Sequence, residues 1–108
     1  MNETTRARRR QVVERVLTGP GVSSAADRQV AFDNARVDDR ADELLRTVAQ
    51  HAWKVTDTQV RSAVSAGLAE DAVFELAVAA ALGQATRQRT SASAALDAVF
   101  GAADGDRR

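Results

Sequence analysis

Apolar positions along the chain recur at the three- and four-residue spacing of amphipathic helices, punctuated by residues that cap or break helices. Residues Thr4 to Thr18 read as a first helix with a modest stripe of Val12, Val13, Val16 and Leu17, closed by Gly19-Pro20-Gly21. Ser23 or Ser24 can cap a short second helix anchored by Ala26, Val30 and Phe32. From Asp39 to Val55 the pattern sharpens: Ala41, Leu44, Leu45, Val48, Ala49 and Ala52 share one face, with Asp42, Glu43 and Arg46 on the other. Asp42 and Arg46, four apart, form a favourable exposed pair. Thr56 starts a fourth helix with Gln59 in capping-box register, Asp57 in the first turn, and Val60, Ala63 and Val64 facing inward. Gly67 suits the left-handed residue that closes this helix, and Leu68 the apolar contact that follows.

The last helix opens at Glu70-Asp71 and can run to Phe100, about 45 Å at 1.5 Å per residue. Gly83 is where it either continues or breaks into two. Residues 72 to 82 are apolar nearly all round apart from Glu75, so this segment should be central, or covered by other helices or subunits. The tail from Gly101 to Arg108 is small and charged and is expected to fray. The pattern therefore predicts one all-α domain of about five helices: a basic helix over 1–18, a core over 22–100 and a tail over 101–108.

Composition changes this picture in two ways. Alanine is abundant, at 23 residues, while aromatic residues are limited to Phe32, Trp53, Phe74 and Phe100, so close helix contact must replace bulky packing. A core that thin favours self-association, which adds burial that one copy lacks. The absence of cysteine excludes a thiol nucleophile, a disulfide framework, an iron–sulfur cluster and cysteine-ligated zinc, and one histidine cannot build a multi-histidine metal site. No metal and no cofactor are expected. Fifteen basic and fifteen acidic residues balance, which argues against a dominant electrostatic attraction to nucleic acid or an anionic membrane. The longest unbroken apolar run, Leu76 to Leu82, is far short of the ~20 residues of a membrane span, and no apolar signal segment precedes it, so a cytoplasmic location is expected.

The run from Val55 through Leu96, VTDTQVRSAVSAGLAEDAVFELAVAAALGQATRQRTSASAAL, resembles a segment of the alkylhydroperoxidase D-like, or carboxymuconolactone decarboxylase-like, all-α family. The similar features are the V-T-D helix start, the A-G-L turn, the E-D-A-V-F-E-L opening, the alanine-rich helix with A-L-G, and arginines one turn later. Redox members of that family use a Cys-x-x-Cys pair followed by a histidine and assisted by an upstream glutamate. This chain has no residue to receive either cysteine, so the resemblance does not carry thiol peroxidase activity with it. It implies a compact helical fold, assembly into trimers or hexamers, and a small pocket between helices.

Among candidate chemical groups, His51 borders the apolar stripe of the third helix, because Leu44 and Val48 lie seven and three residues before it. An imidazole there can act as general acid or base, or it can pack at the helix end and bond a carbonyl or Asp57. Glu75 is the single charge in an apolar segment. Burial would raise its pKa and suit it to proton transfer, whereas pairing with Arg46 or Arg61, or an exposed position, would make it structural. Arg87, with Arg89, can clamp the carboxylate of a small anionic ligand, or both can be surface arginines that follow a core segment and need no function. His51 and Glu75 moving protons, with Arg87 holding an anionic substrate, would constitute a decarboxylase- or isomerase-type enzyme. The basic run Arg6, Arg8, Arg9 and Arg10 lacks interleaved aromatic residues and is flanked by Glu3 and Glu14, so it reads as a solvated face. Val60 to Val78 superficially fits a helix-turn-helix DNA reader, but Glu70, Asp71 and Glu75 would stand where phosphates approach.

Overall fold

The computed structural model describes residues 3–106 of the chain. Five α-helices follow one another, with no strand among the described residues: α1 (Glu3–Thr18), α2 (Ala25–Phe32), α3 (Asp42–His51), α4 (Asp57–Ser65) and α5 (Glu70–Asp106). The all-α class expected from the apolar spacing is therefore the class observed.

Local side-chain chemistry sets most of the boundaries. The Ser24 hydroxyl accepts from the Asp27 amide at 3.0 Å and opens α2. At α4 the capping box closes in both directions: Thr56 Oγ1 accepts from the Gln59 amide at 3.2 Å and Gln59 Oε1 accepts from the Thr56 amide at 3.1 Å. The end of α4 is a Schellman turn, with Gly67 at φ +114°, its amide donating to the Val64 carbonyl and that of Leu68 to Ala63. A second such turn ends α2, where Asn34 takes the left-handed position at φ +56° and the Asn34 and Ala35 amides donate to the Ala31 and Val30 carbonyls. Asn tolerates this conformation better than other residues with a side chain.

The single helix expected from Asp39 to Val55 is three pieces. A 3₁₀ turn at Asp39–Ala41, held by Asp38 Oδ1 accepting from the Arg40 amide at 2.9 Å, precedes α3. A second 3₁₀ turn, Ala52–Lys54, follows it after His51 leaves helical geometry at φ −149°. By contrast, α5 does not break at Gly83. Gly83 is buried where α5 crosses the end of α2, and a Cβ built on it would fall on the Phe32 carbonyl group, 2.6 Å from its carbon. Glycine is there because two backbones meet, and the helix continues through it. The backbone stays helical as far as Asp106, beyond the Gly101 position where fraying is expected.

The core lies where α2, α3 and α4 pack on the first half of α5. Six of its eleven buried apolar residues are alanine, with Leu44, Leu45, Val48, Val73 and Leu76 supplying the bulk. Several positions expected inside are not there. Ala26 and Ala52 are exposed, Val64 lies at the edge, and α1 has no buried residue, with Val12 turned to solvent. Ala31 and the aliphatic stem of Arg28 occupy the α2 contact instead.

At 1.5 Å per residue, the 37 residues of α5 span about 55 Å, most of the 62 Å long axis. The radius of gyration is 17.2 Å, against about 13 Å for a compact chain of this length. The excess is the second half of α5, which runs beyond the core with only α1 beside it.

Candidate functional site

Glu75 sits on the α5 face that meets the loop between α1 and α2. Its carboxylate accepts three hydrogen bonds: from the Val22 amide at 2.9 Å, the Ser23 amide at 2.8 Å and the Ser23 hydroxyl at 2.6 Å. Gly21 leaves the room this needs, since a Cβ there would lie 2.7 Å from Glu75 Oε1. The donors favour the charged form, with the Ser23 hydroxyl first among them, and hold the carboxyl below its ordinary range. The upward shift that proton transfer would call for is absent, because desolvation is the smaller effect here. Neither Arg46 nor Arg61 reaches it: Arg46 pairs with Asp42 at 3.2 Å, the pair its spacing predicts, and Arg61 with Asp57 at 4.0 Å.

The neighbouring arginine is one the sequence pattern does not flag. Arg28 is 6% exposed, and its Nη1 donates to the Val16 carbonyl at 2.9 Å while Nε donates to the Ser24 carbonyl at 3.4 Å. Val16 is in the last turn of α1, so the guanidinium satisfies a carbonyl that the helix end leaves free and ties α1 to α2. Glu75 and Arg28 line a small cavity of about 160 Å³ with Pro20, Phe74 and Val78.

His51 lies elsewhere, exposed at the end of α3. Its ring meets Trp53 edge to face, with centroids 5.1 Å apart, and its side chain makes no hydrogen bond among the described residues. The shallow cavity it borders, about 300 Å³, is lined by Glu43, Arg46, Lys54 and Gln59 among others.

Arg87 is on α5, one turn beyond Gly83. It bonds Asn34 Oδ1 and places its guanidinium over the Phe32 ring, 5.9 Å from the centroid. Asn34 in turn donates to the Ala31 and Ala80 carbonyls, both at 3.1 Å. Arg87 and Asn34 thus pin the end of α2 to α5, which occupies the guanidinium expected to clamp a ligand. His51, Glu75 and Arg87 accordingly stand in three different surroundings within the chain.

A better-enclosed cavity of about 490 Å³ lies between the end of α2, α3 and α5, a volume within the ordinary range of small-molecule pockets. Its polar lining is Asn34, Arg36, Asp42, Arg46, Gln50 and Gln84, over Val37, Leu45 and Ala80. Asp42 lies between Arg46 at 3.2 Å and Arg36 at 3.9 Å, so the charges are largely spent on each other. Asn34 is its informative member, and Asn at a helix C-terminus was the signal for it. What this lining can do is hydrogen-bond a polar molecule; it holds no nucleophile. Among the described residues no group of three or more His, Asp or Glu is placed to hold a metal ion, and no helix is long and apolar enough to cross a membrane.

Comparison with family models, with curated proteins and with solved structures gives no match.

Proposed function

We propose that the chain is a cysteine-free, alkylhydroperoxidase D-like assembly protein whose copies join through α5, with no thiol peroxidase chemistry. The observation that carries this is a stripe along α5 with alternating four- and three-residue spacing: Phe74, Val78, Ala81, Ala85, Gln88, Ala92, Ala95 and Val99. All are exposed except half-buried Val78, and Phe74 is 68% exposed. A repeat of 3.5 residues per turn is the period of a helix that packs lengthwise on another helix. It runs for about 38 Å, and its alanines allow axes to approach at the short end of the ~8–10 Å range. A second copy is the fitting occupant, because it brings the same small-residue stripe, and self-association supplies the burial that an alanine-built core lacks. The acid–base reading is weaker, since the Glu75 carboxylate is occupied by Val22 and Ser23.

The test is a pair of charges in the stripe. Ala85→Glu with Ala92→Glu should reduce the particle mass to that of one chain by light scattering, with far-UV circular dichroism unchanged. A mass unaffected by the two charges would exclude this face as the contact.

A further inference from the structure

We infer that the open groove between α1 and the second half of α5 is a binding site for a long-chain carboxylate, one ligand per chain. This inference does not rest on the assembly reading. α1 runs back along α5, so that Arg6 shares one cavity with Leu96 and Phe100, and Leu17 shares the next with Thr86 and Arg89. The two cavities, about 940 and 480 Å³, have Arg9, Arg10 and Arg89 in common and form one trough.

Its chemistry is that of an amphiphile site. The floor is apolar: Leu96 and Phe100 are 56% and 64% exposed, and Val13 and Leu17 continue it from α1. Along the whole trough the four arginines, Arg6, Arg9, Arg10 and Arg89, face three carboxylates, Glu3, Glu14 and Asp97, which leaves an excess of one positive charge. Arg10 reaches Glu3 at 3.9 Å, while Arg6 and Arg89 make no ion pair among the described residues. Guanidinium groups facing one another across a trough repel, and an anion relieves this. A second copy seated on the same face would set arginines against arginines, so self-association does not fill it. A single negative charge with an apolar chain fits both halves of the lining, whereas a polyanion would meet Glu3 and Asp97 and leave the floor uncovered. The groove lies beside the alanine stripe on α5: at 3.6 residues per turn, Arg89, Ser93 and Phe100 average roughly a quarter turn from Ala85, Ala92 and Val99, and Leu96 stands at the edge between the two faces.

Titration calorimetry of the full chain, below micelle-forming concentrations, tests this with dodecanoate, 1-dodecanol, butyrate and inorganic phosphate. Saturable binding of dodecanoate at one per chain is expected. Each buried methylene is worth about fourfold in affinity, so butyrate should bind at least 100-fold more weakly. Dodecanol, without the charge, and the Arg6→Gln/Arg89→Gln variant with dodecanoate should each bind about tenfold more weakly or worse. Leu96→Asn should also weaken dodecanoate, whereas Arg8→Gln, outside the groove lining, should not. Circular dichroism verifies folding of each variant, and the chain-length series on the native sequence is independent of folding effects. No saturable dodecanoate binding, equal affinity for butyrate or phosphate, or full affinity in the double arginine variant would each overturn the inference.

Discussion

Replacing Gly83 by alanine should destabilise the protein, although intrinsic helix propensity alone predicts the reverse. In a solvent-exposed helix interior the change would stabilise by about 1 kcal/mol. At Gly83 the new methyl would lie 2.6 Å from the Phe32 carbonyl carbon and 2.9 Å from its Cα. Ordinary carbon contacts begin near ~3.5 Å, and the methyl would overlap the Phe32 carbonyl oxygen outright, so the end of α2 must retreat by at least ~1 Å. Overpacking of this kind costs about 1–3 kcal/mol. A retreat also strains the Asn34 to Ala80 hydrogen bond, for about 1 kcal/mol more. Taking about 2 for packing and about 1 for the bond, less about 1 for propensity, leaves a net loss of about 2 kcal/mol. For a domain of this size that lowers Tm by about 8–16 °C. Gly101→Ala is the internal control: nothing lies within 4 Å of a Cβ there, so it should stabilise by at most about 1 kcal/mol. Thermal melts followed at 222 nm measure both. A Gly83→Ala protein as stable as the native one would refute the close contact and return Gly83 to the role of a helix break.

Three further perturbations have definite signs. The Glu75 carboxyl is held below the ordinary glutamate range by hydrogen bonds in the folded state. Its contribution is therefore complete above the unfolded glutamate pKa of about 4.3 and is lost as pH falls through the lower folded value. Glu75→Gln should lower Tm near neutral pH and flatten the acid limb of Tm against pH; an acid limb identical to that of the native chain would contradict the assignment. Arg28→Met keeps much of the stem and removes the bonds to the Val16 and Ser24 carbonyls, so denaturant melts should show a loss of about 1.5–3 kcal/mol. His51→Ala, at an exposed ring touching Trp53, should change stability by no more than about 0.5 kcal/mol in the same assay, and a larger loss would mean that the imidazole is structural.

What was legible in the sequence was what acts over three to five residues. The Thr56–Gln59 box, the Gly67 turn and the Asp42–Arg46 pair all form as their spacing predicts. The apolar stripe of α3 was legible for the same reason, down to Leu44, Leu45 and Val48. Contacts between distant segments were not. Glu75 finds its partners 52 and 53 residues away, in a loop whose two backbone amides and Ser23 hydroxyl no local spacing ties to it. Arg28 looks like a surface residue because burial of its stem depends on where α1 ends. Gly83 is ambiguous alone, since a glycine that breaks a helix and one that admits a neighbouring backbone are the same letter. The exposed Val12 shows the converse: an apolar position on a helix with too little opposite it to bury.

In the proposed assembly one copy is incomplete and α5 joins it to others. Sedimentation equilibrium of the native chain from low micromolar to higher concentration tests it most directly. Assembly through α5 requires a particle mass that is a multiple of the 11.5 kDa chain, three or six copies being the number the family resemblance implies. A mass of 11.5 kDa throughout that range would contradict it.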